Sequence, residues 1–322
     1  MYDALCVGIL VADVLAKPVD AVPEKGLLNL VDSIEMFNGG NAMTAAVNLR
    51  KMGLSSAIGG KVGKDPFGDF LRTKLEQAGV ETRGLAVSDR VQTSVSVALS
   101  ASDGERSFLH CIGANGEFCL DDINWDLVEQ CRTVFVTGSF LLPTFDGEQT
   151  AQFLKRCKEM GKTTLLDVCW DSRGNWGTLL NPCMPYLDYF LPSIEEAVML
   201  AKVDSWTPSP TEISQKIAGE FFSRGVKSVV IKLGSKGCFA QESAQAEPYI
   251  LPAYTHIKPV DTTGAGDSFC SGFIAALCRG ESFLDCARFA NGAGAHCVME
   301  KGATTGMKPY EEIKQFMEAN PL

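Results

Sequence analysis

The run Asp261-Thr262-Thr263-Gly264-Ala265-Gly266-Asp267-Ser268-Phe269 sets two glycines and an acid where a turn feeds a helix. Downstream, Phe269, Phe273, Ala276 and Leu277 recur at helical spacing and form one apolar face, so a helix is expected to begin between Gly264 and Asp267. The amides of a first helical turn have no partner inside the helix, and glycines leave them open to a ligand. An anion suits such a site. The positive end of the helix also favours the ionised form of Asp267, which can then take a proton from a hydroxyl. A base beside an oxyanion cradle is the arrangement that phosphoryl transfer to an alcohol needs. The same spacing suits a tight loop capped by an acid, so these residues alone leave both readings open.

Other residues have similar double readings. Asp13 follows an apolar run at 4–11, placing a carboxylate just past a first strand, where α/β sheets hold ligands and where solvated loop acids also occur. Gly39-Gly40-Asn41 opens a second helix through Ala42, Ala45, Ala46, Leu49 and Met52 that stops at Gly53. Asp167, Asp171 and Arg173 follow an extended run at 163–168, and Arg173 is equally placed to pair with Asp171 on the surface. Ser193 and Glu196 have the spacing of a helix cap with its first-turn acid. Lys232-Leu233-Gly234-Ser235-Lys236-Gly237 reads on its own as a hairpin turn, and Asn291 as a polar residue on a small-residue helix.

The elements that must position these groups alternate: extended runs at 134–137, 163–168, 186–191 and 228–233, with helices at 147–160 and after Ser193. That pattern predicts a mainly parallel sheet covered by helices on both faces, with functional side chains at the carboxyl ends of its strands. Val95, Val97 and Leu99 alternate with serines before a second extended run at 107–112, a one-sided hairpin that fits a small β lid better than a doubly covered sheet. The 322 residues are 46% hydrophobic, enough for a full core, and carry a net charge of −10, which argues against nucleic-acid and anionic-membrane partners. Twelve cysteines form no CxxC pair and three histidines are scattered, so buried reduced thiols are expected rather than a zinc site. The apolar start carries Asp3 and Asp13 and no basic leader, and no run approaches a membrane span, so a cytoplasmic location is expected.

DTTGAGDSFCSGF, residues 261–273, resembles the second signature of the ribokinase-like (PfkB) carbohydrate kinase family, DTxGAGD. Gly39-Gly40-Asn41 and its helix resemble the first, GGxxxN, with Thr44 standing where that signature has its later Asn. The resemblance runs through nearly the whole chain in order. It implies a single ribokinase-like α/β domain over residues 1–322, with a β lid formed by 14–38 and 91–113. By this resemblance Asp267 is the general base and the Gly264, Ala265 and Gly266 amides form the anion hole. Asp13, Gly39, Gly40, Asn41 and Arg173 would line the substrate pocket, while Ser193, Lys232, Gly234, Gly237 and Asn291 would face ATP. Glu196 would organise Mg²⁺ through water, with Ser193 replacing the Asn of an NxxE segment, and Asp261 and Thr263 would border a monovalent cation such as K⁺. The implied activity is ATP-dependent phosphorylation of a hydroxyl on a sugar or sugar-like molecule, and the lid supports a homodimer in some members. A nucleoside kinase of the same family and a non-catalytic sugar sensor on the same fold are the alternatives. A dinucleotide-dependent dehydrogenase is disfavoured, because no complete GxGxxG follows the first strand.

Overall fold

The apolar runs fill the centre of a nine-stranded sheet in the computed structural model, which describes residues 1–103, 105–203 and 209–322. In chain order the strands are β1 (Tyr2–Gly8), β2 (Val11–Lys17), β3 (Ser33–Gly39), β4 (Ser56–Gly63), β5 (Glu81–Ser88), β6 (Val95–Ser100), β7 (Arg106–Cys111), β8 (Cys131–Ser139), β9 (Thr163–Val168), β10 (Tyr189–Phe190), β11 (Ser228–Lys232), β12 (Cys238–Gln241) and β13 (Tyr249–Leu251). The helices are α1 (Asn41–Lys51), α2 (Pro66–Gln77), α3 (Trp125–Glu129), α4 (Glu148–Glu159), α5 (Trp176–Leu180), α6 (Ile194–Ala201), α7 (Pro210–Ser223), α8 (Ala265–Cys278), α9 (Phe283–Val298) and α10 (Tyr310–Ala319).

The large sheet runs β13-β12-β11-β10-β9-β8-β1-β4-β5. Its pairs from β11 through β5 are parallel, and β12 turns back antiparallel between β11 and β13. Alternate residues of β1 enter opposite layers. Ala4 and Cys6 join the core that includes α1, α8 and α9, while Leu5 and Val7 join the core that includes α4, α6 and α7. Burial on both faces explains why these strands read as continuous apolar runs. The mainly parallel sheet with helices on both faces is the one the alternation of runs predicts.

A second sheet, β3-β2-β6-β7, draws its strands from both early stretches of the chain. Here two expectations are corrected. The run at 4–11 does not form one strand: β1 stops at Gly8 and β2 begins at Val11, so the same apolar segment feeds both sheets. Asp13 therefore lies inside β2, paired with Phe37 and Ser96, rather than in a loop past the first strand. The hairpin is not one-sided either, because β7 is an edge strand exposed at all six positions. The strand expected over 186–191 contracts to β10, between a 3₁₀ turn at Met184–Tyr186 and Pro192, whose ring leaves no N–H for a ladder.

Candidate active site

Helix α8 begins at Ala265, with Gly264 as its cap at φ +75°. That left-handed turn is wedged against Ala303, since a Cβ at Gly264 would stand 2.4 Å from the Ala303 Cβ. Asp267 falls in the first turn, and its Oδ1 accepts a 2.7 Å hydrogen bond from Asn41 Nδ2 at the start of α1. The Cys169 thiol, just past β9, donates to Asn41 Oδ1 at 3.3 Å and fixes which way that amide faces. Asn48, about two turns further along α1, bonds Ser268 Oγ through Nδ2 at 3.0 Å and locks α1 against α8. Burial pushes the Asp267 carboxyl above its ordinary range, against the pull of Asn41 and Lys232 and with added repulsion from Glu196. Sequence reasoning saw only the helix end, which favours the charged form; loss of water outweighs it.

Lys232, the last residue of β11, does not reach outward from its loop. Its Nζ lies 2.6 Å from Asp167 Oδ2, with the two side chains 13% and 2% exposed. Burial works against the ammonium, but Asp167 and Glu196 hold it charged and raise its pKa. A Cβ placed on Gly266 would stand 3.5 Å from that Nζ, so the charge sits beneath the first turn of α8. Glu196 and Ser193 form a reciprocal cap at the start of α6: Ser193 N donates to Glu196 Oε2 at 2.8 Å and Glu196 N to Ser193 Oγ at 3.3 Å. Burial and the neighbouring Asp167 raise the Glu196 carboxyl. Asp167, Asp267 and Glu196 thus act electrostatically on a single ammonium.

A second part of the site is built by Asp13 and the glycine pair. A Cβ on Gly39 would fall 1.9 Å from Asp13 Oδ2, so only glycine lets this carboxylate lie against the turn into α1. Gly40 caps that helix, and Thr44 is buried within it. Burial pushes Asp13 up to about 6, partly offset by a hydrogen bond from Ser96. Ser96 Oγ in turn lies 3.0 Å from His110 Nδ1.

Asp261 and Thr263 form a closed turn ahead of α8. Asp261 Oδ1 accepts from Thr263 N at 3.0 Å and Thr263 Oγ1 at 2.7 Å, and Oδ2 accepts from Gly302 N at 3.1 Å. Burial alone would raise this carboxyl, but these donors and the Arg106 charge bring it below its ordinary range.

Other expected site residues lie apart from this cluster. Asn291 donates to the Leu251 and Pro252 carbonyls at 3.3 and 3.2 Å, tying α9 to the end of β13. Arg173 is exposed, and its backbone N donates to Asp171 Oδ1 at 2.9 Å; among the described residues no hydrogen bond or ion pair joins its guanidinium to the cluster. Asp171 also accepts from Trp176 N at 2.8 Å, a contact that braces the start of α5. Gly234 and Gly237 lie on the antiparallel connection between β11 and β12, so that segment is a hairpin turn, open above Gly234. Sequence reasoning missed the Asp167–Lys232 pair, the Cys169 contact and Arg106. Only the position of Asp167 and Lys232 at the ends of extended runs hinted at the first.

Among the described residues no three His, Cys, Asp or Glu side chains converge as a direct metal cage. The excess of carboxylates over ammonium nevertheless suits a divalent ion held through water and phosphate oxygens, as Mg²⁺ commonly is. The monovalent ion fits less well, because both oxygens of Asp261 already have donors.

A parallel sheet, a small covering sheet and an acid at a glycine-led helix start belong together in phosphotransferases that act on a hydroxyl. The chain is a member of the pfkB family of carbohydrate kinases, whose model matches residues 1–309. It is 28% identical to a ribokinase of Arabidopsis thaliana over 97% of this chain and 80% of that one. It is 26% identical to a fructokinase of Vibrio alginolyticus over 93% of this chain and 96% of that one. The structure is similar to that of Arabidopsis thaliana ribokinase complexed with ribose and ATP, with a TM-score of 0.85 and 26% identity over 98% and 99% of the two chains. Among the described residues no helix is long and apolar enough to cross a membrane.

Proposed function

We propose that this carbohydrate kinase transfers the γ-phosphate of ATP to a hydroxyl of a sugar or sugar-like molecule, with Asp267 as general base. The observation that carries this reading is the Asn41–Asp267 hydrogen bond at the mouth of α8, which turns the carboxylate toward the acceptor side rather than into the core. Asp267 takes the hydroxyl proton as the new O–P bond forms and the bond from the γ-phosphorus to the departing ADP oxygen breaks. The amides of Gly264, Ala265 and Gly266 and the buried Lys232 ammonium face the charge on the migrating group. Mg²⁺, held beside Glu196 through water, would neutralise phosphate charge when bound. Asp13, Gly39, Gly40 and Asn41 hold the acceptor, and the β11–β12 turn borders the nucleotide.

Asp267→Asn should lower turnover by roughly 10³-fold, within the range for loss of a general base, while ATP affinity measured by calorimetry stays close to that of the parent. Near-normal turnover in this variant would remove Asp267 from the mechanism. The parent needs an ATP-consumption screen over sugars, polyols and nucleosides; silence across all three would favour a binding sensor. A nucleoside acceptor is the second reading, supported by Phe37 and Phe108, exposed aromatic rings on the same sheet face as Asp13. The small sheet acts as a lid in a single catalytic unit. Its opposite face carries exposed Ile34, Met36 and Leu109, an apolar patch for a second copy of the chain. Twelve unpaired thiols, eight of them buried, suit a reducing compartment such as the cytoplasm.

A further inference from the structure

The pairing register decides what the small sheet shows to the cleft. Asp13 faces Ser96 and Ser96 faces His110, so alternate residues of β7, Arg106 and Phe108 among them, share the Asp13 face. From that face Arg106 reaches the turn ahead of α8, 157 residues further along the chain. Its Nη1 donates to Thr263 Oγ1 at 3.3 Å, and its Nη2 lies 3.6 Å from Asp261 Oδ2. Thr263 Oγ1 donates its own hydrogen bond to Asp261 Oδ1, so guanidinium, hydroxyl and carboxylate close into one ring of contacts. The turn is gripped from two sides: Gly302 N binds Asp261 from the loop behind it, and Arg106 binds it from the small sheet.

This departs from the monovalent ion that family resemblance implies at Asp261 and Thr263. The positive charge facing the carboxylate is already supplied by the chain itself. We propose that Arg106 is a positioning residue for phosphoryl transfer, standing in for a monovalent cation at Asp261 and bracing the turn whose end sets the α8 amides. Gly264, the cap of α8, directly follows Thr263, so a shift of that turn moves the anion hole. K⁺ and guanidinium carry equal charge, but the guanidinium is tethered to β7. The charge therefore arrives when the small sheet is closed and leaves when it opens. The ion pair is partly exposed, with Arg106 38% accessible, so it adds little to global stability, and its effect belongs to the geometry of transfer.

The inference rests on the kinase reading, and its test separates the two. Full-length parent, Arg106→Ala and Arg106→Lys would be assayed with an accepted acceptor in tetramethylammonium buffer, with and without K⁺. The parent should show no K⁺ activation. Arg106→Ala should lose turnover by about tenfold or more with little change in the KM for ATP, and should recover part of it in K⁺. Arg106→Lys should keep most of the activity. A parent that requires K⁺, or an alanine variant with parental turnover, overturns the proposal. If the parent phosphorylates nothing, the kinase reading fails, and the brace is then judged by hydrogen exchange of residues 106–111 and 261–266. Faster exchange at both segments in Arg106→Ala supports it; identical exchange overturns it.

Discussion

At Asp267 two opposing effects meet in one carboxyl group: burial raises its pKa, and the Asn41 amide and the Lys232 charge lower it. In the proposed reaction Asp267 works as a base only when deprotonated, so the acid side of the pH–rate profile should report this balance. Replacing Asn41 with Leu removes a donor to the charged form and leaves the burial unchanged. The raised pKa then rises further, and activity is lost at a higher pH than in the parent. A shift of about one unit in the acid limb of kcat is expected, the scale of one hydrogen bond to a charged group. An unmoved limb would mean that another group sets it. Cys169 belongs to the same argument, because its thiol orients the amide that orients the base.

At the scale of elements, the junction between β3 and α1 shows how backbone and site are joined. Gly39 ends β3 beside Asp13 of the neighbouring strand, and the atom in the way of any Cβ is the tip of the Asp13 side chain rather than the backbone. Gly39→Ala should therefore fold, with Asp13 turned away from its place. The expected result is a rise of about tenfold or more in the KM for the acceptor, with the KM for ATP nearly unchanged, since only the acceptor side is disturbed. Equal changes in both constants would show that the junction serves the whole site. The α6 cap is a different kind of junction, where Ser193 and Glu196 satisfy each other's amides.

For the molecule as a whole, the small sheet has two faces with different work. One carries Asp13 and Arg106, and the other carries Ile34, Met36 and Leu109 into solvent. If that patch pairs with a second copy, the double variant Ile34→Asp, Leu109→Asp should sediment as a monomer while the parent sediments as a dimer; a monomeric parent would exclude it. Much of this architecture was legible in the sequence. Strands buried on both faces leave apolar runs, α8 leaves helical spacing, and DTTGAGD is a contiguous motif whose turn and helix start are local. The rest depends on strand order, which periodicity does not encode. Asp167 and Lys232 pair across β10, Asp13 lies in a second sheet because one apolar run serves both, and Arg106 meets Asp261 across most of the chain. The same distribution of side chains provides a practical handle. Of the twelve cysteines only Cys111, at the end of β7, is exposed. A maleimide dye applied to the native protein would mark that strand, and its emission would report whether the sheet moves when sugar and ATP are added, without any engineered label.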